Sequence, residues 1–202
     1  MTIRYQTTSQ PLTEVSRIED VPSEATIVWY DFEDATEKEN EFLRNHFDFN
    51  YLEIDDAING IPRAKYKAYD DYQYIVFHSI LTHDYAAIAL NVFLQGNTLV
   101  TYHHKRFESL KKVVQDNQKH HVSDLDCADI VIHILDSMVD KYFNFVYDIE
   151  DKVYTFEDRH VDDRFSKDVM DNVFKLRSDL IKIKRVLFPM QELVDTIKTE
   201  GN

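Results

Sequence analysis

Apolar residues recur every three or four positions through most of the last third of the chain. Ile130, Ile134, Met138, Tyr142, Phe145, Ile149, Val153 and Phe156 share one helical face, and Val131, Leu135, Val139, Phe143 and Val146 widen it. A stripe this broad has to pack against something. No Pro or Gly falls within residues 124–160, so the pattern predicts an unbroken helix about 55 Å long at ~1.5 Å per residue. The polar run 157–164 breaks the series and predicts a turn. A second series follows: Phe165, Val169, Val173, Leu176, Leu180, Ile183, Leu187, Met190, Val194 and Ile197. From Val169 its steps alternate four and three, which suits a coiled-coil-like seam. Pro189 lies inside that series and is expected to kink or end the helix near Phe188.

Upstream the period changes. Residues 2–8 read as a short strand, and 14–20 as a polar connector or short helix. The β-branched and aromatic run 26–31 reads as a strong strand. Asp34 or Thr36 can cap a helix over 37–46, with Phe42 and Phe47 inward. A second short helix over about 51–58 stops at Asn59-Gly60. After Pro62 come candidate strands at 63–69, 72–80 and 85–94. Gln95-Gly96-Asn97 is a tight hairpin signal into a strand at 98–103. A helix over 105–118 leads into the long arms. The pattern predicts an α+β (mixed α/β) fold: a mixed sheet flanked by helices, followed by a long antiparallel helical hairpin. It divides the chain into an α/β module at 1–122 and the hairpin at 123–202.

Composition narrows the function. Of 202 residues, 44% are hydrophobic, enough for a real core, and only three Gly and four Pro leave little room for long linkers. The formal charge of −14 makes nucleic acid or an anionic membrane surface an unnatural partner and cations a natural one. The lone Cys127 excludes an internal disulfide and a four-thiolate metal site. No signal peptide is visible, and the longest apolar run, 85–94, is too short to span a bilayer. The sequence therefore reads as that of a soluble, cytosolic piece, with membership of a membrane protein left open. There is no Gly-rich phosphate loop, Gly-x-Ser-x-Gly, His-Glu-x-x-His or Cys-x-x-Cys. The sequence does not read as an enzyme.

Two groups of side chains remain as candidate chemistry. The adjacent pairs His103-His104 and His120-His121 do not converge easily on one ion and are expected to be exposed or capping. Carboxylates are more suggestive. Glu53, Asp55 and Asp56 crowd the short helix before Gly60. Asp129, His133, Asp136 and Asp140 form one stripe on the first long arm. Like charges at such spacing need compensation. Lys175, Arg177, Lys182, Lys184 and Arg185 of the return arm could supply it, or a divalent cation such as Mg²⁺, which needs only one or two carboxylates.

Six motifs stand in order along the chain: residues 27–31 (Ile-Val-Trp-Tyr-Asp), 51–56 (Tyr-Leu-Glu-Ile-Asp-Asp), 63–69 (Arg-Ala-Lys-Tyr-Lys-Ala-Tyr), 97–103 (Asn-Thr-Leu-Val-Thr-Tyr-His), 135–142 (Leu-Asp-Ser-Met-Val-Asp-Lys-Tyr) and 187–192 (Leu-Phe-Pro-Met-Gln-Glu). Their order and spacing, from about Ile27 to Ile197, resemble the cytoplasmic N-terminal portion of CorA-family magnesium transporters. Ala64 stands where the family often has Pro. The resemblance implies a regulatory domain at the cytoplasmic face of the cell membrane, assembled as a homopentamer in the full-length protein and monomeric as an isolated piece. It implies Mg²⁺ as both regulatory ligand and transported ion. Zn²⁺ or Co²⁺ are the alternative ions, and an equivalent Zn²⁺-transporter domain or a non-transport interaction module the alternative roles. Membrane helices and the Gly-Met-Asn pore signature would lie beyond Asn202. Carried over by motif, Asp55 and Asp56 match an acidic pair at the end of the short helix and Asp136 an acid on the first long arm. With Asp140 of the same stripe, these are the candidate metal ligands.

Overall fold

The computed structural model describes residues 1–61, 63–81, 83–159 and 167–200. Strands β1 (Thr2–Gln6), β2 (Thr13–Val15) and β3 (Ile27–Glu33) precede helices α1 (Glu37–His46) and α2 (Tyr51–Asn59). Strands β4 (Lys65–Ala68), β5 (Gln73–Ile80), β6 (Ala87–Gln95) and β7 (Thr98–His103) follow, then α3 (Glu108–Lys119), α4 (Cys127–Arg159) and α5 (Lys167–Glu200). The seven strands form one sheet in the order β2-β1-β3-β7-β6-β5-β4. Every neighbouring pair is antiparallel except β3 and β7, which run parallel, Val28 opposite Thr98 through Glu33 opposite His103. The polar stretch 14–20 contributes the end of β2 and a single 3₁₀ turn at Ile18–Asp20.

Strand alternation splits the core in two. Trp29, Ile75, Phe77, Leu90, Val92 and Leu99 face α3, α4 and α5. Tyr30, Phe32, Tyr74, Val76, Phe93, Val100 and Tyr102 face α1 and α2. Local signals fix the helix ends. Thr36 caps α1 in a reciprocal box with Glu39. Asn50 caps α2 through Leu52 N–H, and Gly60 ends it at φ +86°, where a side chain would be strained. Asp126 and Asp129 exchange backbone-to-carboxylate hydrogen bonds at the start of α4 (2.9 and 3.0 Å). This places Asp129, one member of the acidic stripe, in a cap.

The face of α4 read from periodicity is the buried one: Ile130, Ile134, Met138, Tyr142, Phe145 and Ile149 all lie in the core. The widening series is split: Val131 is buried and Leu135 packs against the core, while Val139, Phe143 and Val146 are exposed. On α5 the buried edge is Ile183, Val186, Met190 and Leu193, while Val173 and Leu180 of the expected seam are exposed. The sheet, and not α4 alone, selects which stripe of α5 is covered. Two corrections follow for these arms. Pro189 does not end the second arm, since α5 runs through it to Glu200. Proline removes its own backbone donor and crowds the carbonyl four residues earlier, a local cost, and packing of Ile183, Val186, Met190 and Leu193 on either side holds the helix together. Residues 157–159 of the expected turn complete α4, and the rest of that turn, like Pro62, lies outside the described residues.

The arms also satisfy backbone groups of the sheet. β4 pairs with β5 only as far as Val76, opposite Lys65. Beyond it, His78 N–H donates to Met190 Sδ at 3.2 Å, and His78 C=O accepts from the Tyr142 hydroxyl. Cys127 is buried, and burial pushes its thiol up to about 12, so it serves packing rather than nucleophilic chemistry.

Candidate functional site

Helix α2 presents its acids at the edge of the sheet. Ile54 and Ala57 point into the core, which directs Glu53 and Asp56 toward β4 and leaves Asp55 exposed. Glu53 is fully buried and accepts from Lys65 Nζ (2.8 Å), Lys67 Nζ (2.9 Å) and the Tyr69 hydroxyl (2.8 Å). Burial would raise its pKa, but these three donors outweigh burial and hold the carboxyl below its ordinary value. Lys65 also reaches Asp56 Oδ2 at 2.6 Å. Asp55 accepts from Asn59 Nδ2 at 2.7 Å. Lysines at 65 and 67 and the tyrosine at 69 share one side of an extended strand, as period-two spacing dictates. That spacing was the available signal for this network, which reading the acids alone overlooks.

The second acidic pair lies on the outward face of α4. Asp140 Oδ2 is 3.7 Å from Lys112 Nζ of α3. Its charge is therefore balanced from α3, not from the return arm as the stripe suggested; there, Lys182 Nζ bonds the Asp84 carbonyl. Asp136 is exposed and, with Lys112, Asp116, His120 and His133, lines a cavity of about 330 Å³ between α3 and α4.

These two pairs do not meet within one chain. Asp55 and Asp56 belong to the layer of α1 and α2, Asp136 and Asp140 to the layer on the opposite side of the sheet. Among the described residues, no three His, Cys, Asp or Glu side chains come together as a metal site. The donor chemistry still fits a hydrated hard cation. Each pair offers carboxylate oxygens at the surface, and Mg²⁺ needs only one or two of them besides water.

The histidines correct an expectation. His103 is neither exposed nor a cap. It is 1% exposed, with Nε2 3.0 Å from Asp31 Oδ1 and Nδ1 2.7 Å from the Lys105 carbonyl. Asp31 also accepts from Thr101 Oγ1 (2.6 Å), which in turn accepts from Trp29 Nε1 (2.9 Å), and Arg4 Nη1 lies 3.5 Å from Oδ2. Burial opposes charge on both partners. The hydrogen bond and field of Asp31 nevertheless raise the His103 pKa, and His103, Thr101 and Arg4 together lower that of Asp31. His78 is also buried, its Nε2 3.1 Å from the Ile61 carbonyl, and burial lowers its pKa. No spacing in the sequence marks Asp31 and His103 as partners, because parallel pairing of β3 with β7 brings them together across 72 positions.

A model of the family described as CorA-like Mg²⁺ transporter protein matches residues 24–202. The chain belongs to this family. YfjQ of Bacillus subtilis, which bears the name of a metal ion transporter, is 29% identical over 189 residues, covering 90% of this chain and 59% of YfjQ. The complete CorA magnesium transporter of Methanocaldococcus jannaschii matches with a TM-score of 0.81 at 16% identity, over 98% of this chain and 63% of that one. The ZntB cytoplasmic domain of Vibrio parahaemolyticus matches at 0.74 and 17% identity, over 99% and 80%. At such identities the structures show a shared fold. This CorA-family chain spans less than two thirds of YfjQ and of the complete CorA. Among its described residues no helix is long and apolar enough to cross a membrane.

Proposed function

We propose that this chain is the regulatory domain of a CorA-like divalent cation channel, at the cytoplasmic face of the membrane, and that Mg²⁺ held between copies of it keeps the pore closed. One observation carries the reading. The acids matched by motif and by spacing lie on opposite layers of the sheet. Asp55 and Asp56 of one copy can therefore face Asp136 and Asp140 of the next, as a head-to-tail ring such as a homopentamer requires. Empty, two carboxylate surfaces repel. A shared hydrated dication neutralises them and shifts the population toward the closed arrangement. No catalytic step is assigned to the domain.

In the full-length protein, Mg²⁺ should raise the thermal midpoint by several degrees over a control of matched ionic strength. Asp56→Ala and Asp136→Ala should each remove most of that rise. An equal rise in both variants would sink this assignment of ligands. A second reading takes Zn²⁺ in place of Mg²⁺, with His120 and His133 at the cavity between α3 and α4 as the nitrogen donors on offer. A midpoint rise at micromolar Zn²⁺ that disappears in His133→Ala would select it.

A further inference from the structure

His103 stands between two groups that can only accept. The Asp31 carboxylate faces Nε2 and the Lys105 carbonyl faces Nδ1, at 3.0 and 2.7 Å. A neutral imidazole has one N–H and can serve only one of them. With Asp31 ionised, as its lowered pKa has it, only an imidazolium makes both bonds at once; the ring is buried among Thr101 and Asp31, with the Phe107 ring edge-on at 5.4 Å. On loss of one proton, Nε2–H stays with Asp31, because a bond to a buried carboxylate is the stronger of the two. The Nδ1 lone pair then opposes the Lys105 oxygen at hydrogen-bond distance.

That oxygen lies on the short connection from β7 into α3. Phe107, the residue at the N-cap of α3, makes no side-chain capping bond. The entry to the helix is thus held by the His103–Lys105 bond and by burial of Phe107 and Leu110. The proton has a route: Asp31 lines a cavity of about 340 Å³ together with Arg4, Glu33, Arg106 and Lys111. These are the charged groups facing the pair from β1, β3, the connection and α3. Arg4 opposes protonation of the ring, Glu33 favours it, and Arg106 is drawn toward Glu108 at 3.2 Å.

We propose that His103 is a proton-operated latch on the entry to α3: its second proton ties down residues 104–107, and losing it frees them. Helix α3 also carries Lys112 to Asp140. The latch therefore bears on the surface where α3 meets α4, whichever ion that surface takes.

The test follows ring protonation by nitrogen-detected NMR in the 202-residue chain, and in parallel measures hydrogen exchange corrected for intrinsic rate. The ring should carry both protons at neutral pH. As pH rises through its titration, protection of residues 104–112 should fall by about tenfold while that of β5 and β6 stays constant. In His103→Gln the protection of 104–112 should no longer depend on pH. If that variant does not fold, Asp31→Asn serves instead, and should move the transition down by about one pH unit or more. A ring with a single proton at neutral pH would overturn the latch. So would a loss of protection shared by the whole sheet, the same loss in His103→Gln, or an unmoved transition in Asp31→Asn.

Discussion

Two buried histidines pull the pH dependence of stability in opposite directions. His103 has a folded pKa above its unfolded value of about 6.5. Its contribution is complete below that value and is lost as pH rises through the folded pKa. Asp31 has a depressed pKa. Its contribution is present above an unfolded value of about 3.9 and is lost only in stronger acid. His78, held neutral by burial, works against folding as pH falls below about 6.5, because the unfolded chain then binds the extra proton. The two windows lie on opposite sides of about pH 6.5, so together they place a maximum in the wild-type profile near that pH. The difference between wild type and His103→Gln, taken from urea midpoints at several pH values, should isolate the latch residue. It should be largest near pH 5.5, about 3 kcal/mol for the loss of one partner of a buried pair, and shrink by pH 9. A constant difference would mean that the ring acts through shape alone. At this scale the sequence revealed little. Asp56 and Asp136 could be nominated, and period-two spacing put Lys65, Lys67 and Tyr69 on one side of a strand, yet nothing local foretold that α2 packs its acids against that side or that parallel pairing of β3 with β7 brings His103 to Asp31.

Helices and strands were far more legible. The Thr36 and Glu39 box, the Asn59-Gly60 stop and the Gln95-Gly96-Asn97 turn act over a few residues, and each bounds an element where local chemistry places it. The first long arm was readable because one dominant face leaves no choice of what to bury. The second was readable as a helix but not in its rotation. Val173 and Leu180 satisfy the heptad as well as Val186 and Leu193 satisfy the sheet, and only the sheet decides between the two edges. For a similar reason the helix does not end at Pro189: the proline's cost is local, the packing that offsets it is not. Replacing it restores a backbone donor in a continuous helix, so Pro189→Ala should stabilise the protein by about 1–3 kcal/mol, read as a higher urea midpoint with an unchanged slope. A loss of stability would show that the proline ring itself is needed where α5 passes Arg63 and Tyr66 along the groove they share.

For the molecule as a whole, alternation of period two followed by period 3.6 was enough to foresee a mixed sheet with a helical hairpin. It could not supply the strand order. β1 to β3 form one antiparallel group within residues 2–33, and β4 to β7 another within 65–103; each is closed by short connections. The two groups join along a single parallel ladder between β3 and β7. That ladder has a consequence for how the chain reaches its fold. A rate-limiting search should end when partners about 70 positions apart meet, since the cost of closing so long a loop comes before any reward from the contacts. Truncating Val100, inside the ladder, should slow refolding as much as it weakens the fold. Truncating Ile75, in the self-contained β4–β7 group, should mainly hasten unfolding. Stopped-flow chevrons of Val100→Ala and Ile75→Ala would show it; equal effects on the folding limbs would mean that the groups assemble together.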